Sequence, residues 1–269
     1  RLHTHLYDSA AADTMAAGSG ADDPLDLLEQ YGLLDERTLL THLLHADRDD
    51  ARRIAESGAH VLHCPTVYSY FQAGDQAWFP LPALQEFGAN VVIGLDDPFW
   101  FDSWDLIQEA KHARLLSNFE YGAQQWSSYE LLQMLTIDAA RALGLDDQVG
   151  SLEPGKQADF VVIDVDTPRH QPYSNLPSVL MNSVTAGDIE TVVVDGDVLM
   201  RNKSVESLDV ERVHAAAMRE RERLQAQTGW KTSLGGSTPP DISILRRISA
   251  RPVLRAVNQY GHGVVHRYF

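Results

Sequence analysis

The stretch FGANVVIGLDDP, residues 87–98, decides the fold. Val91, Val92 and Ile93 are β-branched and lie between Gly88 and Gly94. Asn90 to Gly94 therefore reads as a short strand buried on both faces, as parallel sheets require. Such a strand delivers Asp96 at its carboxyl end, where (β/α) barrels carry their chemistry. In the competing reading, Asp96 and Asp97 merely cap the helix that follows.

Working outward, Leu2 to Leu6, Thr38 to Leu44 and Ala59 to Cys64 read as three further strands. Helices lie between them: one opened by Pro24 and ended by Gly32, one from Asp47 to Ser57 stopped by Gly58, and a short one from Leu81 to Phe87. Trp104 to Ser117 and Ser127 to Leu143 read as amphipathic helices, the second closed by Gly144. This alternation makes residues 1–150 a series of βα units on a parallel sheet, the α/β class. Ala10 to Asp23 is a long loop without periodicity, more a lid than a spacer.

Past Gly150 the pattern changes. Ala158 to Val165, Thr191 to Val194 and Asp197 to Met200 are strand-like, with a hairpin turn at Asp195-Gly196, so residues 151–204 form a small β layer. Residues 205–227 hold a charged helix from Val210, with apolar Val213, Ala216, Ala217 and Leu224. Residues 228–269 carry linker-like Gly235-Gly236 and Pro239-Pro240 and have no assignment.

The 269 residues carry a net charge of −16, built from 25 Asp and 13 Glu against 18 Arg and only 4 Lys. Surfaces of this kind suit high salt, which screens self-repulsion. A GC-rich genome favouring Arg codons would give the same bias. No basic stripe is present to displace counterions from a nucleic acid, and no run of ~18 apolar residues could span a membrane. The single Cys64 excludes an internal disulfide framework and, with no signal peptide at Arg1, fits a cytoplasmic location. The chain opens without Met directly in a strand, so its natural start is expected upstream.

Each strand of the first part ends on a metal-ligating residue type: His5, His42, His63 and Asp96. A lone histidine in a strand is usually a satisfied core residue, but four such residues at equivalent positions could converge on one barrel mouth. Nitrogen and oxygen donors there suit a divalent metal.

The motifs THLYDS (4–9), THLLH (41–45), HCPTVYSYFQAG (63–74) and VVIGLDDP (91–98) resemble, in that order, the later strand motifs of the amidohydrolase superfamily. The branch resembled is that of the chlorohydrolases and aminohydrolases, which includes guanine, cytosine, adenosine-type and triazine deaminases. Residues 136–164 and 179–202 resemble that family's return to a β-sandwich. The resemblance implies the C-terminal half of a TIM-type (β/α)8 barrel, strands five to eight, plus part of the sandwich. The N-terminal barrel strands, which carry the family's HxH metal pair, are then missing. Only about 90 residues separate His5 from Asp96, whereas eight βα units need ~200 or more. His3, although spaced as HxH with His5, is then expected to be a buried barrel residue.

Carried over by motif, His5 and Asp96 are implied metal ligands, and Asp96, His42 and Asp8 catalytic groups. His63, Asp8, Tyr68 and Trp100 are implied to touch substrate. Asp8 stands where the family has Glu, and Val67-Tyr68 where it has Ser-Asn. Tyr70, Phe71, Trp78, Phe79, Phe99, Trp100 and Phe101 would make an aromatic pocket for a flat ring, or else pack beneath a lid. The implied cofactor is one divalent ion, Zn²⁺ before Fe²⁺. The implied reaction is hydrolytic deamination of an amino-substituted nitrogen heterocycle by a homo-oligomer of the complete enzyme. Dechlorination, amide hydrolysis and a non-catalytic partner subunit are the alternatives.

Overall fold

The computed structural model describes residues 1–8, 21, 23–71, 78–96, 103–122 and 125–228. The chain divides into two compact units, Arg1–Ser207 and Leu208–Phe269.

The first unit begins with a parallel sheet of β1 (Leu2–Leu6), β2 (Thr38–His42), β3 (His60–His63) and β4 (Asn90–Ile93), hydrogen-bonded in that order. The helices between them are α1 (Pro24–Gln30), α2 (Arg48–Ser57), α3 (Pro65–Phe71) and α4 (Leu81–Phe87). Their ends follow local chemistry. Asp23 caps α1 by accepting from Leu25 and Asp26, and Asp47 and Asp50 form a capping box at α2. Gly58 and Gly88 close α2 and α4 in the left-handed region, where a side chain would be strained.

Strand alternation sorts the core onto two faces. Leu40, Val61, Val91 and Ile93 enter a large cluster with Leu25, Ile54, Leu81 and Leu84 from the helices. Their neighbours Leu39 and Val92 join a small cluster with Ala142, against which Leu62 and Ala139 pack. β2 is buried at all five positions because it is an inner strand, whereas β1 is an edge strand among the described residues. That edge position corrects the expectation for His3: it is exposed, and its Nε2 is 2.8 Å from Thr41 Oγ1.

After β4 come α5 (Leu106–Tyr121), α6 (Ser128–Met134) and α7 (Ile137–Leu143). One helix was expected over Ser127 to Leu143, and the chain makes two. Thr136 leaves helical geometry at φ −129°, ψ −99°, and its hydroxyl donates to the Leu132 carbonyl at 2.7 Å, so the break is satisfied locally. Pro65, expected only to stop a strand, opens α3. Helix α8 (Leu176–Asn182), capped by Asn175, was also not anticipated.

The second sheet is antiparallel: β5 (Phe160–Ile163), β6 (Ile189–Val194), β7 (Asp197–Arg201) and β8 (Ser204–Val205), in sequence order. Asp195 (φ 50°) and Gly196 (φ 84°) form the expected tight turn. In the second unit, α9 (Val210–Thr228) is a charged helix with Val213 and Leu224 exposed. Among the described residues no helix is long and apolar enough to cross a membrane.

Leu40 is fully buried on the inner strand that joins both halves of the parallel sheet. Leu40→Ala should cost about 2–5 kcal/mol, read as a lower denaturation midpoint at unchanged slope. A loss under about 1 kcal/mol would mean this strand is not at the centre of the core.

Candidate metal centre

The carboxyl ends of β1, β2 and β4 share one rim of the sheet. The register pairs His5 with Thr41, and His42 with Leu6. Regular pleating would therefore put His5 and His42 on opposite faces. The backbone breaks that alternation: His42 has φ 82° and Leu43 φ 57°. The two imidazoles consequently meet, with ring centroids 4.8 Å apart. Asp96 (φ 60°) and Tyr7 (φ 51°), just past β4 and β1, adopt the same left-handed conformation. Such conformations cost non-glycine residues about 1–3 kcal/mol each and persist only where the surroundings enforce them. Four of them gather at this rim, which is therefore a strained end of the sheet.

Among the described residues His5, His42 and Asp96 form the group whose ligand atoms all lie within 4.8 Å of one another. His42 Nε2 stands 3.3 Å from Asp96 Oδ2. Two donors ~2.1 Å from a tetrahedral ion are themselves roughly 3.4 Å apart, so this pair already has the spacing of shared ligands. Burial lowers the pKa of His42 and the neighbouring His5 adds to that, against the pull of Asp96 and Asp8. His42 is thus held as the neutral imidazole that metal ligation needs. Two nitrogen donors and one carboxylate fit zinc or another borderline divalent ion.

Asp8 is exposed just past β1, and its charge acts on His42. His63 is not brought to the group. It keeps the strand alternation, pairs with Ile93 in register, and packs inward with its ring stacked on Phe79 at 4.1 Å and 22°. It is 3% exposed, and burial, with smaller contributions from His42 and His112, holds its pKa at about 3. Tyr68 likewise turns inward: it is buried, and its hydroxyl donates to Glu120. Both residues expected to touch substrate are thus buried here, His63 against Phe79 and Tyr68 against Glu120. Trp100, with Asp97, Phe99 and Phe101, lies outside the described residues, as do the side chains of Tyr70 and Phe71. Of the expected aromatic wall, Phe79 is core packing and Trp78 is exposed.

Sequence reasoning missed two carboxyls on α5. Glu109 is 2% exposed and accepts from the Thr66 backbone N–H at 3.2 Å and from the Thr66 hydroxyl. Burial raises its pKa. Glu120, beside Tyr68, is lifted by burial to about 7. The available signal was spacing: Ala110, Ala113 and Ser117 mark the buried face of α5, and Glu109 belongs to it. Burial, then Asp96 and Glu109, push the Cys64 thiol up, so it is no thiolate ligand.

The amidohydrolase family model matches residues 1–199. The chain belongs to the amidohydrolase family. A 5-methylthioadenosine/S-adenosylhomocysteine deaminase from Teredinibacter turnerae is 32% identical over 228 residues, covering 84% of this chain and 51% of the relative. An adenosine deaminase from Xanthomonas campestris, crystallised with bound zinc, superposes with a TM-score of 0.76 at 26% identity, covering 83% of this chain and 51% of that one. The atrazine chlorohydrolase of Arthrobacter aurescens TC1, crystallised with zinc, gives 0.74 at 26% identity, covering 81% and 48%. This amidohydrolase chain thus spans about half the length of the relatives it matches.

His63 makes a pH prediction. Its folded pKa, about 3, lies below the ordinary ~6.5, so the unfolded chain binds the extra proton first. The sign follows: stability contributed by His63 is complete above pH ~6.5 and falls as pH drops towards 3. His63→Leu should flatten that acid limb in denaturation measured across pH 7 to 4. An unchanged limb would show that His63 is not held neutral.

Proposed function

We propose that this chain supplies the C-terminal half of the active site of a metal-dependent aminohydrolase. The enzyme replaces the exocyclic amino group of a nitrogen heterocycle with oxygen and releases ammonia. The observation that carries the reading is the meeting of His5, His42 and Asp96 at one strained rim. In this reading β1 to β4 are strands five to eight of a (β/α)8 barrel, and the strands carrying the remaining ligands lie outside this sequence. The four-strand parallel order and the half-length match to the relatives support it.

His5, His42 and Asp96 would hold the ion, zinc before iron. When bound, such an ion lowers the pKa of water from ~16 towards ~7 and so makes hydroxide available at neutral pH. Asp96 takes a proton from the attacking water and passes it to the leaving amine. Asp8 takes the water's second proton and passes it to the ring nitrogen, so negative charge does not build up on the ring. The new C–O bond replaces the C–N bond, and the amine leaves as ammonia. Asp8, one methylene shorter than the Glu usual at this position, suits a substrate whose ring nitrogen lies closer to β1.

The deaminase-named relatives support an adenosine-like or related amino-heterocycle as substrate. The match to atrazine chlorohydrolase favours a second reading, hydrolytic dechlorination of a triazine, in which chloride leaves instead of ammonia. Buried Cys64 and the 25 Asp against 4 Lys support a cytoplasmic, salt-adapted enzyme. We read its working form as a homo-oligomer.

The test uses the zinc-loaded protein that carries this chain, assayed for ammonia and for chloride on adenosine-type, guanine-type and triazine substrates. Asp96→Asn should lower kcat by about 10²–10⁴-fold, and His5→Ala should lower bound zinc. Full activity in Asp96→Asn would sink the assignment. Chloride without ammonia would select the second reading.

A further inference from the structure

Tyr7 lies between the proposed ligand His5 and the proposed acid Asp8, and nothing in the reaction scheme uses it. Its surroundings are unusual for a residue at a strand end. The side chain is 3% exposed and belongs to the main hydrophobic cluster. The backbone is left-handed, at φ 51°. Its carbonyl accepts from the His45 N–H at 3.2 Å.

The hydroxyl reaches two helix starts at once. It lies 3.0 Å from Asp23 Oδ1 and 3.2 Å from Asp50 Oδ1, and its single proton is shared between them. Asp23 caps α1, and Asp50 completes the capping box of α2. Arg53 balances the charge gathered there, with Nη1 3.3 Å from Asp23 Oδ2 and 3.5 Å from Asp50 Oδ1. Its Nη2 lies 2.6 Å from Asp26 and 2.7 Å from Glu29. A buried aromatic ring, a bonded carbonyl and a two-way hydroxyl hold one residue at three points.

The geometry points to Tyr7 as a positioning residue that sets Asp8 against His42, by tying the end of β1 to the first turns of α1 and α2. This rests on the aminohydrolase reading, because Asp8 has a role only there. The physical argument is directional. A left-handed residue bends the chain sharply out of the strand direction, so a small rotation at Tyr7 swings the next side chain, Asp8, across the rim. Asp8 is exposed two residues past the end of β1, so the chain immediately before it must hold its direction. The Tyr7 hydroxyl contacts neither substrate nor ion in this scheme. Its effect on rate passes through Asp8.

Tyr7→Phe keeps the buried ring and removes only the shared proton. In the zinc-loaded protein carrying this chain, it should lower kcat about tenfold on the best amino-heterocycle, with KM changed less than twofold and zinc content unchanged. The deciding measurement is a double-mutant cycle with Asp8→Asn. Once Asp8 has lost its acid, Tyr7→Phe should lower the rate no further. Unchanged kcat in Tyr7→Phe, or an equal loss in the presence and absence of the Asp8 acid, overturns the inference and leaves Tyr7 a core residue. A wild-type protein that releases ammonia from no amino-heterocycle overturns the aminohydrolase reading itself, and this inference with it.

Discussion

The constraint on which the structure depends is the break in strand alternation at the carboxyl rim. A parallel strand offers side chains to its two faces in turn, so His5 and His42, one residue out of register, would face opposite sides of a regular sheet. Left-handed backbone at His42, Leu43 and Asp96 lifts those groups out of the pleat and brings Asp96 and His42 to 3.3 Å, beside His5. Such conformations are tolerated because the sheet below is tightly held. β2 is buried along its whole length, and Leu40, Val61 and Ile54 are fully buried under the helices.

Burial also sets the chemistry. It lowers the pKa of His42 and of His63, keeping both neutral, but with different consequences. His42 remains at the rim next to two carboxylates and an exposed histidine, where a neutral imidazole can bind a cation. His63 is sealed against Phe79, where a neutral imidazole is a flat, weakly polar packing element. The same physical effect makes one histidine a candidate ligand and the other a wall. Strand direction at the last residue separates them.

Carboxyl groups away from the rim divide similarly. Asp23 and Asp50 cap helices, share the Tyr7 hydroxyl and are neutralised by Arg53. Glu109 spends both oxygens on Thr66, fixing the start of α3 just after the His63-Cys64 strand end. An acidic chain thus uses many of its carboxylates as hydrogen-bond acceptors for backbone N–H groups, a local role that works with few lysines present.

Much of this was legible in the amino-acid order, because its signals are local. The β-branched run between Gly88 and Gly94 marked β4, Gly58 and Gly144 marked helix ends, and Asp195-Gly196 marked the hairpin. His5, His42 and Asp96 could be named because the ends of parallel strands must share a rim. What stayed hidden depends on distant partners. The split between α6 and α7 turns on Thr136 finding its own backbone acceptor, and the exposure of His3 on β1 being an edge strand among the described residues. The inward turn of His63 and Tyr68 depends on Phe79 and Glu120, which are remote in sequence. The sequence alone determined which residues stand at the strand ends. Only tertiary structure decided which of them face one another, because the sign of a single φ at each strand end is set by packing across the sheet.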